Sequence, residues 1–134
     1  MIIREKYMQQ ICDFMDKPVI KVITGMRRCG KSALLELTRD ELKARGVPNE
    51  NIIYINFESL RYEHLKEYRS LYQEVSKRVE GVEGKVYILL DEIQEVSGWE
   101  QAINSFRIDC DCDIYITGSN AYLLFCAYDS GWIL

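Results

Sequence analysis

Hydrophobic and polar positions alternate between two periods along this chain of 134 residues. Between residues 2 and 16, Ile3, Tyr7, Ile11 and Phe14 or Met15 recur at helical spacing and Pro18 closes the segment, which predicts an amphipathic helix. Four other stretches are nearly continuous apolar runs rich in β-branched residues: Val19 to Thr24, Ile52 to Phe57, Lys85 to Leu90, and Asp113 to Thr117. Runs of that length suit strands buried on both faces, as in a parallel sheet. Helical spacing returns between them. Ala33, Leu34, Leu35, Leu37, Leu42 and Ala44 predict a helix that stops at Gly46, with Pro48 beyond. Leu65, Tyr68, Leu71, Tyr72 and Val75 predict a surface helix, or two short ones, between Leu60 and Val79, ending at Gly81 and Gly84. A short helix is expected from Trp99 to Phe106. This alternation predicts an α/β fold with a parallel sheet and right-handed crossovers.

With 48% hydrophobic and 28% charged residues, the chain has the make-up of one ordinary globular domain with a sizeable core. A net charge of −4 speaks against a broad nucleic-acid footprint, so no nucleic-acid partner is indicated. The N-terminal residues lack a secretory apolar region and no apolar run is long enough to span a bilayer, so the expectation is a cytoplasmic protein without a membrane segment. Five cysteines, an odd number in scattered contexts, do not form a disulfide framework. Cys110 and Cys112 could be half of a metal site, but no second cysteine pair completes it and the lone His64 lies on a charged helical stretch.

Chemistry enters directly after the first predicted strand. Gly25-Met26-Arg27-Arg28-Cys29-Gly30-Lys31-Ser32 reads G-x-x-x-x-G-K-[ST], a phosphate-binding loop in its expected setting between a strand and a helix. Glycines let consecutive backbone N–H groups turn inward, and the helix that follows presents its positive end to the anion. The nucleotide contacts are thus expected at Gly25, Met26, Arg27, Arg28, Cys29, Gly30, Lys31, Ser32 and Ala33. Lys31 neutralises the β- and γ-phosphates and the Ser32 hydroxyl ligates Mg²⁺. Cys29, beside Lys31 and a helix N-terminus, is expected to have a depressed thiol pKa.

The third apolar run ends in Asp91-Glu92, where open parallel sheets gather ligand-binding groups. Asp91 is expected to hold Mg²⁺ and Glu92 to polarise the attacking water. A carboxylate beside the metal-binding Asp favours hydrolysis over transfer to a small acceptor. A small-molecule kinase would also need a lid and an acceptor pocket, of which the sequence gives no sign. No Asn-Lys-x-Asp guanine-reading motif is present, so ATP is preferred to GTP. The fourth run ends in Thr117-Gly118-Ser119-Asn120, and Asn120 is the candidate for orienting the water or touching the γ-phosphate. The competing expectation is a nucleotide-binding module or remnant without useful turnover.

These residues resemble a prokaryotic branch of the AAA+ ATPases, in the additional-strand class of P-loop NTPases. The likeness rests on Thr24 to Ser32, Tyr54-Ile55-Asn56-Phe57-Glu58, Leu90-Asp91-Glu92-Ile93-Gln94 with Trp99 after it, and Ile116 to Asn120. It implies a three-layer fold in which an extra strand separates the two Walker strands. It also implies Asp91 and Glu92 as Walker B acids, Asn120 as first sensor with Ser119 the alternative, and catalytic roles for Lys31 and Glu92. Asn56 is similar to the polar residue that restrains the catalytic Glu in some members. Ile3 and Arg4 could border the adenine, while Arg27 and Arg28 could meet phosphate or a neighbouring subunit. A homo-oligomer or a protein partner follows by analogy. The resemblance covers residues 1–124 as an ATPase core. From Phe125 to Leu134 the tail departs from the family's continuation, so the fifth core strand and the helical lid are expected to be missing, as in a truncated or frame-disrupted product.

Overall fold

The computed structural model describes residues 2–23 and 28–118, with backbone alone for residues 2–4, 28 and 29. In chain order the elements are α1 (Ile2–Phe14), β1 (Lys21–Ile23), α2 (Arg28–Ala44), β2 (Ile52–Asn56), α3 (Tyr68–Val79), β3 (Val86–Asp91), α4 (Trp99–Asp109) and β4 (Cys112–Thr117). Short 3₁₀ turns occupy Asn49–Asn51, Leu60–Leu65 and Ile93–Glu95. The four strands form one sheet in the order β1-β4-β3-β2, and every pairing is parallel. This is the expected α/β architecture, with β4 lying between the strand that precedes the phosphate loop and the strand that ends in Asp91.

Period-two alternation sends each strand's side chains to opposite faces. Val22, Ile53, Ile55, Val86, Ile88, Leu90, Ile114 and Ile116 face α3 and α4, which contribute Leu71, Val75, Trp99, Ile103 and Phe106. Ile23, Tyr87, Leu89 and Tyr115 face the other way, against Ile11 and Met15 of α1 and Leu34, Leu35 and Leu42 of α2. Helices on both faces leave little of the sheet in contact with water, which is why the strands read as continuous apolar runs.

Boundaries differ from the sequence expectation where tertiary pairing sets them. β1 (Lys21–Ile23) begins two residues after the expected Val19, where its pairing with β4 starts at Lys21↔Tyr115. Helix α2 begins at Arg28, ahead of Ala33, so the end of the phosphate-loop motif forms its first turns. The stretch from Leu60 to Val79 is two pieces, and Glu67 separates them. Its carboxylate caps α3 by accepting from Arg69 N–H and Ser70 N–H at 3.0 and 3.3 Å.

The α1/α2 face of the sheet is polar at both ends. At the end remote from the phosphate-loop motif, the buried Lys21 ammonium pairs with the buried Asp113 carboxylate and donates to Lys17 C=O at 2.8 Å. Asp113 Oδ2 also accepts from Tyr115 Oη–H at 2.6 Å and from Asp16 N–H at 2.9 Å. Asp16, left-handed at φ 68°, accepts from Tyr87 Oη–H at 2.6 Å and from Lys85 Nζ at 3.3 Å. Burial lowers the pKa of Lys21 against the opposing pull of Asp113. At Asp16 burial pushes upward, but the hydrogen bonds from Tyr87 and Lys85 prevail and hold the carboxyl below its usual range. This network ties the end of α1 to β1, β3 and β4.

Candidate functional site

The other polar end lies where the parallel strands terminate in the chain direction. Alternation along β3 puts Asp91 on the α2 face with Tyr87 and Leu89, and Asp91 is fully buried. Ser32, early in α2, donates its hydroxyl hydrogen to Asp91 Oδ2 at 2.6 Å. Thr117, the last residue of β4, donates to Asp91 Oδ1 at 2.5 Å. The same Thr117 oxygen accepts the Glu92 N–H at 2.9 Å, so one hydroxyl orients both acids.

Glu92 departs from strand geometry. Its φ of 58° and ψ of 56° lie in the left-handed region, which costs a residue with a Cβ about 1–2 kcal/mol. The bond to Thr117 and the Glu95 N–H donated to Glu92 C=O at 3.1 Å hold that turn. As a result the carboxylate folds back into the site, with Glu92 Oε2 3.6 Å from Lys31 Nζ and both residues almost completely buried. Gln94 Nε2 donates to Glu92 Oε1 at 2.6 Å. The 3₁₀ turn carrying Gln94 is anchored on its far side by a backbone bridge between Glu67 and Ser97. Gly98 then turns the chain at φ 72°, where an added Cβ would sit 2.5 Å from the Tyr68 ring.

Tyr54 of β2 reports the local field. Its phenol pKa is pushed up to about 12, first by burial and then by the carboxylates of Asp91 and Glu36. Arg39 lies over its ring at 5.0 Å. The Ser32 hydroxyl and the Asp91 carboxylate, hard oxygen donors side by side, fit a small divalent cation such as Mg²⁺, which takes one or two protein ligands and leaves room for phosphate oxygens and water.

Of the residues expected from sequence, Lys31, Ser32, Asp91 and Glu92 converge. Gly30 and Ala33 flank them in α2. Gly25, Met26, Arg27, Ser119 and Asn120 lie outside the described residues, as do the side chains of Ile3, Arg4, Arg28 and Cys29. The expected change of character after residue 124 also falls outside them. Asn56 Oδ1 accepts its own turn's Glu58 N–H at 3.0 Å, and Gln94, not Asn56, supplies the hydrogen bond to Glu92 Oε1. Thr117 and Gln94 were not singled out by sequence reasoning. The signal for Thr117 lay in register: Leu90 pairs with Ile116, which sets the next residues, Asp91 and Thr117, side by side. Among the described residues no three His, Cys, Asp or Glu side chains gather as a metal site, so Cys110 and Cys112 have no completing ligands there. Among the same residues no helix is long and apolar enough to cross a membrane.

A family model described as an AAA domain matches residues 17–129. An uncharacterized protein of Haemophilus influenzae is 47% identical over 124 residues, covering 92% of this chain and 31% of the relative. The chain therefore spans about a third of the length of that relative. No solved structure matches.

Proposed function

The chain belongs to the AAA-domain family of nucleotide-binding P-loop ATPases, and on that premise we propose that it binds ATP with Mg²⁺ and hydrolyses the terminal phosphate. The observation that carries this reading is the convergence of Lys31, Ser32, Asp91 and Glu92 from two distant segments at the end of one sheet. Backbone N–H groups of Gly25 to Ser32 and the start of α2 receive the phosphates. Lys31 exchanges its contact with Glu92 for phosphate oxygens. Ser32 and Asp91 would hold Mg²⁺, which would supply positive charge against the charge developing on the phosphate oxygens. Glu92 accepts a proton from water as the water oxygen bonds to the γ-phosphorus and the bond to the ADP oxygen breaks. Asn120 is the sensor candidate.

Titration of the purified chain with Mg·ATP and Mg·GTP, following binding and phosphate release, tests the reading with Lys31→Ala as control. Lys31-dependent release of phosphate from ATP supports it. Binding without release that is also indifferent to Glu92→Gln replaces it with a nucleotide-binding module, and absence of binding by the folded chain overturns both.

A further inference from the structure

Gln94 has no part in the chemistry so far, yet its amide is placed with more constraint than packing requires. Its Nε2–H is given to Glu92 Oε1 at 2.6 Å, while its own Oε1 is buried and meets no donor among the described residues. Buried amide carbonyls nearly always find a donor, and an orphaned one calls for a reason. The carboxylate it holds is itself forced inward by the left-handed turn at Glu92 and faces Lys31 through its other oxygen.

We propose that Gln94 is the positioning residue for Glu92. Its amide hydrogen fixes one carboxylate oxygen, so that the second oxygen faces Lys31 before nucleotide arrives and the attacking water afterwards. The carbonyl of the same amide is left as an acceptor for a water hydrogen, giving water two acceptors on adjacent side chains. Without the Gln94 donor the carboxylate can rotate about its terminal bond, and the oxygen that takes the proton is no longer specified. The clamp also makes Glu92 a better competitor for Lys31, so its loss frees the lysine for phosphate.

This assignment rests on Glu92 being the base, and the test separates the two. ATP affinity without turnover (Mg²⁺ omitted) and single-turnover phosphate release are measured on the full chain and on Gln94→Met, Gln94→Glu, Glu92→Gln and the double variant Gln94→Met/Glu92→Gln. Gln94→Met keeps the volume without the amide; Gln94→Glu keeps the shape and a carbonyl oxygen but replaces the donor. Both are expected to lower kcat about tenfold or more with KM within about threefold. In binding, Gln94→Met and Glu92→Gln each tighten ATP by a few fold, and the double variant matches Glu92→Gln alone, because both act through the same contact. Full kcat in Gln94→Glu, a loss confined to KM, or binding effects that simply add overturns the proposal. If Gln94→Met does not fold, Gln94→Glu carries the comparison. Wild-type turnover by Glu92→Gln removes the base and the clamp together, whereas an inactive Glu92→Gln beside a fully active Gln94→Met removes the clamp alone. If no variant and not even the wild type releases phosphate, the binding cycle decides.

Discussion

Ser32 and Asp91, 59 positions apart, are joined by a 2.6 Å hydrogen bond that links the start of α2 to the end of β3. The hydroxyl and the carboxylate that would share Mg²⁺ are therefore already side by side, and only the hydroxyl's lone pairs need turn toward the ion. Ser32→Ala should leave ATP binding in EDTA within about twofold while removing about tenfold of the affinity that Mg²⁺ adds. Nucleotide titrations with and without the metal check this.

Thr117 donates to Asp91 and accepts from Glu92 N–H with one oxygen, at 2.5 and 2.9 Å. Thr117→Val keeps the shape but leaves a buried N–H and a carboxylate oxygen short of partners. A loss of about 1–3 kcal/mol is expected in denaturant unfolding, together with impaired phosphate release. Thr117→Ser, which restores the hydroxyl, should recover most of both.

The ion pair of Lys21 and Asp113 is buried at the opposite end of the same face. Lys21→Met strands a buried carboxylate and should cost about 3 kcal/mol or more, whereas Lys21→Met/Asp113→Leu should recover a large part of it. Urea midpoints of the two variants decide the matter. A double variant no more stable than Lys21→Met would contradict the expected recovery.

Asp16 has a depressed pKa, its hydrogen bonds from Tyr87 and Lys85 outweighing the upward push of burial. A carboxyl whose folded pKa lies below its unfolded value adds stability above the unfolded value, and that stability is lost as pH falls through the folded pKa. The window therefore opens near about pH 4 and extends downward. Asp16→Asn, which tolerates the left-handed backbone, should be less stable than wild type at pH 7, and the gap should close as pH falls through the folded pKa. Thermal melts across that range test the sign.

Cysteine reactivity should divide by environment. Burial, followed by the neighbouring Cys110 and Asp113, pushes the Cys112 thiol up to about 12, and burial also raises Cys12 and Cys110. Cys29 carries the opposite expectation from its place in the phosphate-loop motif. Brief iodoacetamide treatment at pH 7.5 followed by peptide mass spectrometry should label Cys29 first, and ATP should slow that labelling. Prior labelling of Cys112 would contradict the assignment.

Much of the fold was legible because its rules are local. Continuous runs such as Ile52 to Phe57 announced strands covered on both sides, and Gly46 with Pro48 announced the end of a helix. The left-handed Gly46, at φ 94°, performs that stop. Less legible were the start of β1, which depends on where β4 begins to pair with it, and the division between Leu65 and Tyr68, which depends on a bridge to Ser97. Neither partner is near in sequence.

The same distinction runs through the candidate site. Lys31, Ser32, Asp91 and Glu92 could be read from residue type and spacing, because a glycine-bounded loop before a helix and acids after an apolar strand are local signatures of phosphate chemistry. Which side chain would hold Glu92 could not. Asn56 stood at the expected strand end, but its carbonyl is taken by the Glu58 N–H, while a left-handed turn at Glu92 brings Gln94 within 2.6 Å. Thr117 became the shared support of both acids through the order of the strands, and Lys21, Asp113 and Asp16 became one hydrogen-bonded network for the same reason. Local spacing selects elements and chemical groups. Their partners follow from strand order, register and a single reversed φ, which are properties of the packed chain.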